Sequence, residues 1–401
     1  MIKKTIRTYL FLSVAHKFAI STHYAMYVIF LKSQGMNLLQ INLVNLGFFL
    51  TIFLFEIPTG AFADVFGKKK SFVLSCFLWS LSFFVYGYSK SFIGFFAAES
   101  IAAIGKTFSS GAFEAWVINR LNRFNYNGEL DKLFAKEEYL GRSFGIIGAF
   151  IGAWISDISM VWVWYIGGFL FFLVGIVSIL IMEEENHREE ELSIKSGFRS
   201  MAKNIKVSIR YGVKNKTIRF IILMVLIQFF FVQGFNMQWS IYFSRFFGPI
   251  RKLGFIWTGI SLSLILGSFI APYLLRKVGS NKKMLMIPLV ISGIFIILAT
   301  LFGPYLAILF FFLHEVGRGI FTPIRKSYIN ECIDSDDKRA TINSFGSIVH
   351  HVGGGFGLVV SGIIAKSYSI EVNWLVMGSL LVIFSIAAYL WNRNSKPVSR
   401  K

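Results

Sequence analysis

Charge is scarce in this chain. Only 15% of its 401 residues are Asp, Glu, Lys or Arg, where an ordinary soluble domain carries about a quarter. Together with 55% apolar residues and a mean hydropathy of +0.62, that deficit excludes water as the solvent of most of the surface. Cysteine is limited to Cys76 and Cys332, which lie in different halves with no CxxC spacing, so neither a disulfide framework nor a zinc site follows. Seven prolines in 401 residues exclude a proline-rich disordered chain. Enzyme signatures are missing as well. No Walker loop, GxSxG or GxGxxG follows a strand pattern, and His314-Glu315 begins like HExxH but has Arg318 where the second His belongs. Nothing in the sequence implies an enzyme, a cofactor or a metal.

What is present is a series of apolar runs, near 8–31, 38–63, 71–89, 91–118, 137–157, 160–182, 218–243, 252–275, 284–302, 304–330, 340–365 and 371–391. Each is long enough to cross a hydrocarbon layer of about 30 Å as a helix. The runs are continuous rather than alternating, and lipid requires each segment to satisfy its own backbone, so helices are expected and not barrel strands. The expected fold class is an all-α polytopic membrane protein with twelve transmembrane helices. Lys3, Lys4 and Arg7 ahead of the first run imitate a signal peptide, but that run is too long and lacks a small-residue cleavage pattern; it reads as the first span.

The formal charge of +20 does not point to nucleic acid, because the basic residues form no stripe with interleaved aromatics. They collect in alternate connections, and only Lys32, Lys90, Arg245, Arg251, Lys252 and Lys366 fall on the opposite side. The positive-inside rule then puts both termini in the cytoplasm, with membrane lipid as the partner of the basic loops. Residues 183–217 are the one long polar stretch, acidic over Glu183–Glu185 and Glu189–Glu191 and basic from Lys195 onward. They are expected to be a cytoplasmic linker between an N-terminal six-helix bundle, 1–182, and a C-terminal six-helix bundle, 218–401. The halves repeat weakly: Gly67 matches Gly279, Gly105-Lys106 matches Gly317-Arg318, Ser143-Phe144-Gly145 matches Ser344-Phe345-Gly346, and Gly152 matches Gly353. Internal duplication into two pseudo-symmetric bundles is the expectation.

The sharpest local signal is Gly60-Ala-Phe-Ala-Asp64-Val-Phe-Gly67-Lys68-Lys69-Lys70, at the end of the second run. It resembles the loop 2–3 signature of the major facilitator superfamily, Gly-x-x-x-Asp-x-x-Gly followed by three basic residues, and the span count extends the resemblance over the whole chain. Gly60 is expected to let a neighbouring helix approach, Gly67 to permit the turn, and Lys68 with its neighbours to anchor it among headgroups. By the resemblance, Asp64 is a cytoplasmic gate residue, with Arg339 as its partner. Ser109 to Trp116 is similar to span 4 of bacterial exporters related to tetracycline and macrolide efflux proteins, although Glu99 is acidic where many drug exporters have arginine. Gly141, Gly145, Gly148 and Gly152 partly resemble the span 5 glycine motif of facilitator antiporters, with Ala149 standing where that motif has proline.

Ionisable residues within the runs are the candidate site. Glu99, Lys106 and Glu114 recur at spacings near two helical turns and are expected on one face of the fourth span, turned into the bundle. Glu56, Glu99, Glu114 and Glu315 are candidate proton-coupling groups. Lys106, Arg318, His16 and His23 are candidate substrate ligands. Simpler readings stand beside these: an internal Glu315–Arg318 ion pair, and structural, hydrogen-bonded histidines. The resemblance implies a monomeric secondary transporter in a bacterial inner membrane, with protons and a small molecule as partners. The reading is proton-coupled export of an amphiphilic compound by alternating access. Alternatives are uptake or exchange of an anionic metabolite held by Lys106 and Arg318, or a non-transporting receptor or enzyme on the same scaffold.

Overall fold

Every regular element among the described residues is a helix. The computed structural model describes residues 1–183, 215–332 and 336–392, and the side chains of 330, 332, 336–345, 347 and 348 are outside the description. The first half contains α1 (Ile2–Ser21), α2 (Tyr27–Ser33), α3 (Leu38–Phe66), α4 (Lys68–Tyr88), α5 (Phe92–Ser109), α6 (Ala112–Arg123), α7 (Leu130–Ile158) and α8 (Met160–Ile181). The second contains α9 (Lys216–Phe247), α10 (Arg251–Val278), α11 (Asn281–Leu301), α12 (Pro304–Cys332), α13 (Asp336–Ser367) and α14 (Ile370–Trp391). The expected linker, 183–217, lies almost wholly outside the described residues.

Among the described residues, eight helices are long and apolar enough to cross a membrane: α3, α4, α8, α9, α10, α11, α12 and α14. Of the others, α1 carries Lys17, α5 carries Glu99 and Lys106, and α7 carries charges from Asp131 to Arg142. Two expected spans are interrupted. The first breaks at Thr22–Met26, where Ser21 and Thr22 hydroxyls donate back to the Phe18 and Ala19 carbonyls at 2.9 Å and the chain tightens into turns. The fourth breaks at Ser110, which is extended, and Gly111, whose φ of +74° suits a residue without Cβ. The continuous helix expected over 91–118 is therefore two helices, and Glu114 belongs to α6, not to the face of α5.

Helix starts follow local chemistry. Asn37 and Gln40 exchange side-chain to backbone hydrogen bonds, both 3.0 Å, ahead of α3. Ser91 and Ser369 accept from the amides of Gly94 and Val372, each at 3.2 Å, and so cap α5 and α14. The expected turn at Gly67 is present: its φ of +111° separates α3 from α4. The expected close approach at Gly60 is not, because among the described residues a Cβ there would meet nothing within 4 Å.

The chain forms two compact units. The first comprises Met1–Met36, Gly47–Ser200 and Phe247–Thr258; the second comprises Asn37–Leu46, Met201–Phe246 and Gly259–Lys401. Within the first, Gly105 of α5 packs against the Ser75 carbonyl and Trp79 of α4, and Gly152 of α7 against the Thr22 carbonyl. Within the second, Gly317 of α12 packs against the Pro288 carbonyl and Ser292 of α11, and Gly353 of α13 against Leu226 of α9. The glycines matched in sequence thus make matching helix contacts, each inside its own unit. In lipid, where apolar burial gives no drive to bring helices together, such small-residue contacts do the packing.

The glycine edge on α7 generates a contrast. A Cβ at Gly152 would overlap main-chain atoms of Thr22, while one at Gly145 would reach only the Ser21 Cβ, at 4.0 Å. Gly152→Ala is expected to cost about 1–3 kcal/mol by overpacking and Gly145→Ala much less, measured by thermal unfolding in detergent; equal effects would contradict the packing assigned to Gly152.

Candidate functional site

In the first unit, charged side chains from four helices converge. Lys17 of α1 runs along α7 at Gly141, where a Cβ would come 3.2 Å from its Cγ, and its ammonium stands 3.7 Å from Glu138. Glu138 also accepts from Arg142 Nε at 2.6 Å. Lys106 of α5 lies within electrostatic reach of Lys17, of Glu114 on α6 and of Glu137 on α7. The Ser13 hydroxyl donates to Glu137. Tyr9, within electrostatic reach of Glu137 and Glu114, packs at a tilt against Phe113 at 4.8 Å and meets Phe134 edge-on at 6.2 Å. The result is a group of three cations and three carboxylates next to the aromatic core of the unit.

Glu99 stands apart from this group. It is 8% exposed and accepts a hydrogen bond from the Tyr86 hydroxyl, which lies 3.4 Å from the Tyr27 hydroxyl. Tyr86 stacks on Trp164 at 4.1 Å, and Trp164 on His23 at 5.1 Å. His16 is surrounded by Phe72, Trp79 and Phe171 while remaining within reach of Lys17 and Lys106. Both histidines therefore sit against aromatic rings of the unit. Glu56 is exposed on α3, outside the convergent group.

The second unit has its own polar centre. Glu315 is 1% exposed, and Arg318, one turn on, donates to its two carboxylate oxygens at 2.7 and 2.8 Å. Arg318 also donates to the Asn236 side-chain carbonyl, and Asn236 in turn donates to Gln233 at 2.9 Å. His314 Nε2 is 3.9 Å from Glu315, while its Nδ1 is 2.6 Å from the Ser292 hydroxyl. The internal Glu315–Arg318 ion pair read as the simpler alternative is present. A buried pair of this type is expensive to break from one side, because the remaining charge loses its partner.

The remaining sequence candidates divide. Asp64 is exposed in the last turn of α3, and Lys68 opens α4 beside Gly67. The Arg339 side chain is outside the described residues. Sequence reasoning missed Lys17, Glu137, Glu138, Tyr86 and Asn236 as site residues. The signal for Lys17 was available, since a charge well inside an apolar run needs a partner, whereas Glu137 and Glu138 open their run and read as its polar edge. Tyr86 and Asn236 carried no such signal, because Tyr and Asn are ordinary on helices.

Charged and amide side chains are thus gathered inside helical units rich in long apolar helices. The sequence profile of the Major Facilitator Superfamily matches residues 9–280 and 221–401. The chain belongs to the Major Facilitator Superfamily, and it is an integral membrane transporter of that type, not an enzyme. It is 25% identical over 372 residues to the uncharacterized MFS-type transporter YxaM of Bacillus subtilis (strain 168), covering 89% of this chain and 88% of that protein. Over 173 residues, 42% of this chain and 43% of the relative, it is 28% identical to the uncharacterized MFS-type transporter MJ1560 of Methanocaldococcus jannaschii. The nucleoside transporter NupG shares the fold, with a TM-score of 0.79 at 14% identity, covering 98% of this chain and all of that one. So does a bacterial homolog of the human lysosomal transporter Spinster, with a TM-score of 0.76 at 13% identity, covering 99% and 98% of the two chains.

The Tyr86–Glu99 contact is open to a double-mutant cycle. Tyr86→Phe and Glu99→Gln are each expected to lower stability, and together by less than their sum, with coupling of about 1 kcal/mol or more. Thermal unfolding in detergent gives the four values; strict additivity would mean that the hydroxyl contributes nothing to holding the carboxyl.

Proposed function

We propose that the chain is a proton-coupled secondary transporter that exports a small amphiphilic compound by alternating access. The observation that carries the coupling is Glu315, a carboxylate 1% exposed in an apolar helix and held by Arg318. Protonating Glu315 removes one charge from the pair and releases the guanidinium, so proton binding alters what the neighbouring surface attracts. Glu99, buried under Tyr86 and Trp164, is the corresponding carboxylate of the first unit, and Glu114 lies beside Lys106. Support for an amphiphile comes from the aromatic-rich spans, Phe, Trp and Tyr making up 17% of the chain. Export rests on the likeness of Ser109 to Trp116 to bacterial efflux proteins.

The same reading takes twelve crossings in two pseudo-symmetric bundles, 1–182 and 218–401, joined by 183–217. The molecule sits as a monomer in a bacterial inner membrane with both termini cytoplasmic, as the distribution of basic residues favours. Asp64, with Gly60, Gly67, Lys68 and Arg339, forms the cytoplasmic gate. His16 and His23 contribute ring surface to the substrate side of the first unit.

A second reading has a specific observation in its favour. Lys17 of α1 and Lys106 of α5 lie within electrostatic reach of one another, and an anion bound beside them would be attracted by both. An anionic metabolite would then be the solute, with Lys106 as its main ligand and Arg318 a second.

Proteoliposomes under an imposed pH gradient separate these readings, with ethidium as the amphiphilic probe and a labelled dicarboxylate as the anionic one. Glu315→Gln is expected to reduce gradient-driven ethidium flux about tenfold or more while counterflow of ethidium persists, because only coupling is lost. Lys106→Gln is expected to leave ethidium flux within a factor of about three; a selective loss of about tenfold in dicarboxylate affinity favours the anion reading. Unchanged pH dependence in Glu315→Gln would remove the proton from that group.

A further inference from the structure

At the end of the first unit opposite the break in α1, a small half-open depression, filled largely by the Glu183 side chain, is lined by Lys4, Thr5 and Thr8 of α1, Trp116 and Arg120 of α6, and Glu183 just beyond α8. It is separate from the convergent group described above. Lys4 precedes Lys17 by thirteen residues on one helix, about 20 Å at 1.5 Å per residue.

Arg120 makes this pocket unusual. It is 5% exposed, and a guanidinium does not lose its proton in a protein, so the pocket floor is permanently cationic. A buried cation of this kind requires an anion. In the structure that anion is the carboxylate of Glu183, which accepts from Arg120 and, at 3.0 Å, from Lys4. Lys4 first, and then Arg120, hold the Glu183 carboxyl below the usual carboxylate range, so the internal ligand is charged at neutral pH. The Trp116 indole N–H donates to the Glu183 main-chain carbonyl at 3.1 Å and fixes the end of α8 over the pocket.

The fit is incomplete on the donor side. Arg120 Nε is buried and has no hydrogen-bond partner, although a guanidinium offers five N–H donors in a fixed fork. Glu183 reaches in from the rim, with its side chain 42% exposed, and takes only a terminal nitrogen of the fork. A tetrahedral oxyanion with acceptors on three or four sides would bridge Lys4 and the Arg120 fork in its place.

We propose that Lys4 and Arg120 form a binding site for a phosphate group, which Glu183 occupies as an exchangeable internal ligand. Phosphate reaches the site either as the headgroup of an anionic lipid or as a soluble phosphate, and the exchange frees the Glu183 side chain from Lys4 and Arg120 while its main-chain contact to Trp116 stays. The site is independent of the transported solute and of proton coupling, so it stands whether or not the transport reading does.

Purified full-length protein tests this with two probes. Inorganic phosphate, titrated in detergent by thermophoresis, is the soluble arm; nanodiscs of phosphatidylglycerol or phosphatidylcholine, followed by mass spectrometry of retained lipid, are the membrane arm. Removing the internal ligand by Glu183→Ala is expected to tighten phosphate binding, or to raise retention of phosphatidylglycerol over phosphatidylcholine, by about tenfold relative to wild type. Adding Lys4→Gln should cancel the gain. A gain in the membrane arm alone identifies the lipid headgroup, and a gain in the soluble arm identifies a free phosphate. No gain in either arm would overturn the site and leave an ion pair that only fastens three helices. Glu183→Gln, which keeps the side-chain size, gives the same comparison if the alanine variant does not fold.

Discussion

An ionised side chain within hydrocarbon must find a partner or reach water, and that requirement organises this molecule more than any other. A lone charge near the middle of a bilayer costs several kcal/mol even on the most lenient scale, about 2.5–3.5 kcal/mol for Arg, Lys or Asp. Glu56 of α3 is exposed, but most of the other charges within the helices are gathered. In the first unit Lys17, Lys106, Glu114, Glu137, Glu138 and Arg142 meet around α1, α5, α6 and α7, and in the second Glu315 and Arg318 pair beside Asn236. The helices that carry these charges cannot turn arbitrary faces to lipid, so their orientation follows from charge before it follows from packing.

Packing then fixes how closely they stand. The glycines of α7 meet α1 and Gly105 meets α4, while Gly353 and Gly317 make the equivalent contacts with α9 and α11 in the second unit. Because lipid chains solvate apolar side chains as well as other helices do, close backbone contact at small residues has to supply the association. The break at Gly111 belongs to the same design. By ending α5 there, the chain turns α6 so that Glu114 stays near Lys106 and Arg120 reaches the end of α8.

Much of this was legible in the residues. The apolar runs gave the helical class, Gly67 its turn, the α7 glycines their tight edge, and the spacing of Glu315 and Arg318 their pairing. The continuous fourth span was misread because its hydropathy hardly changes across Ser109 to Gly111, whereas the break depends on a backbone dihedral that composition does not report. Glu99 was grouped with Lys106 by helical period alone. Its aromatic setting comes from α4 and α8, too distant in sequence for periodicity to detect.

The central claim is that the charged group around Lys106 faces water and not acyl chains. Single cysteines at position 106 and, for contrast, at the exposed Phe269 of the apolar helix α10, introduced after replacing Cys76 and Cys332 by serine, measure this directly with a charged, water-soluble maleimide in native membranes. The account predicts ready modification at 106 and little at 269. Protection of position 106 from the charged reagent, together with rapid reaction there with a lipid-soluble maleimide, would contradict it.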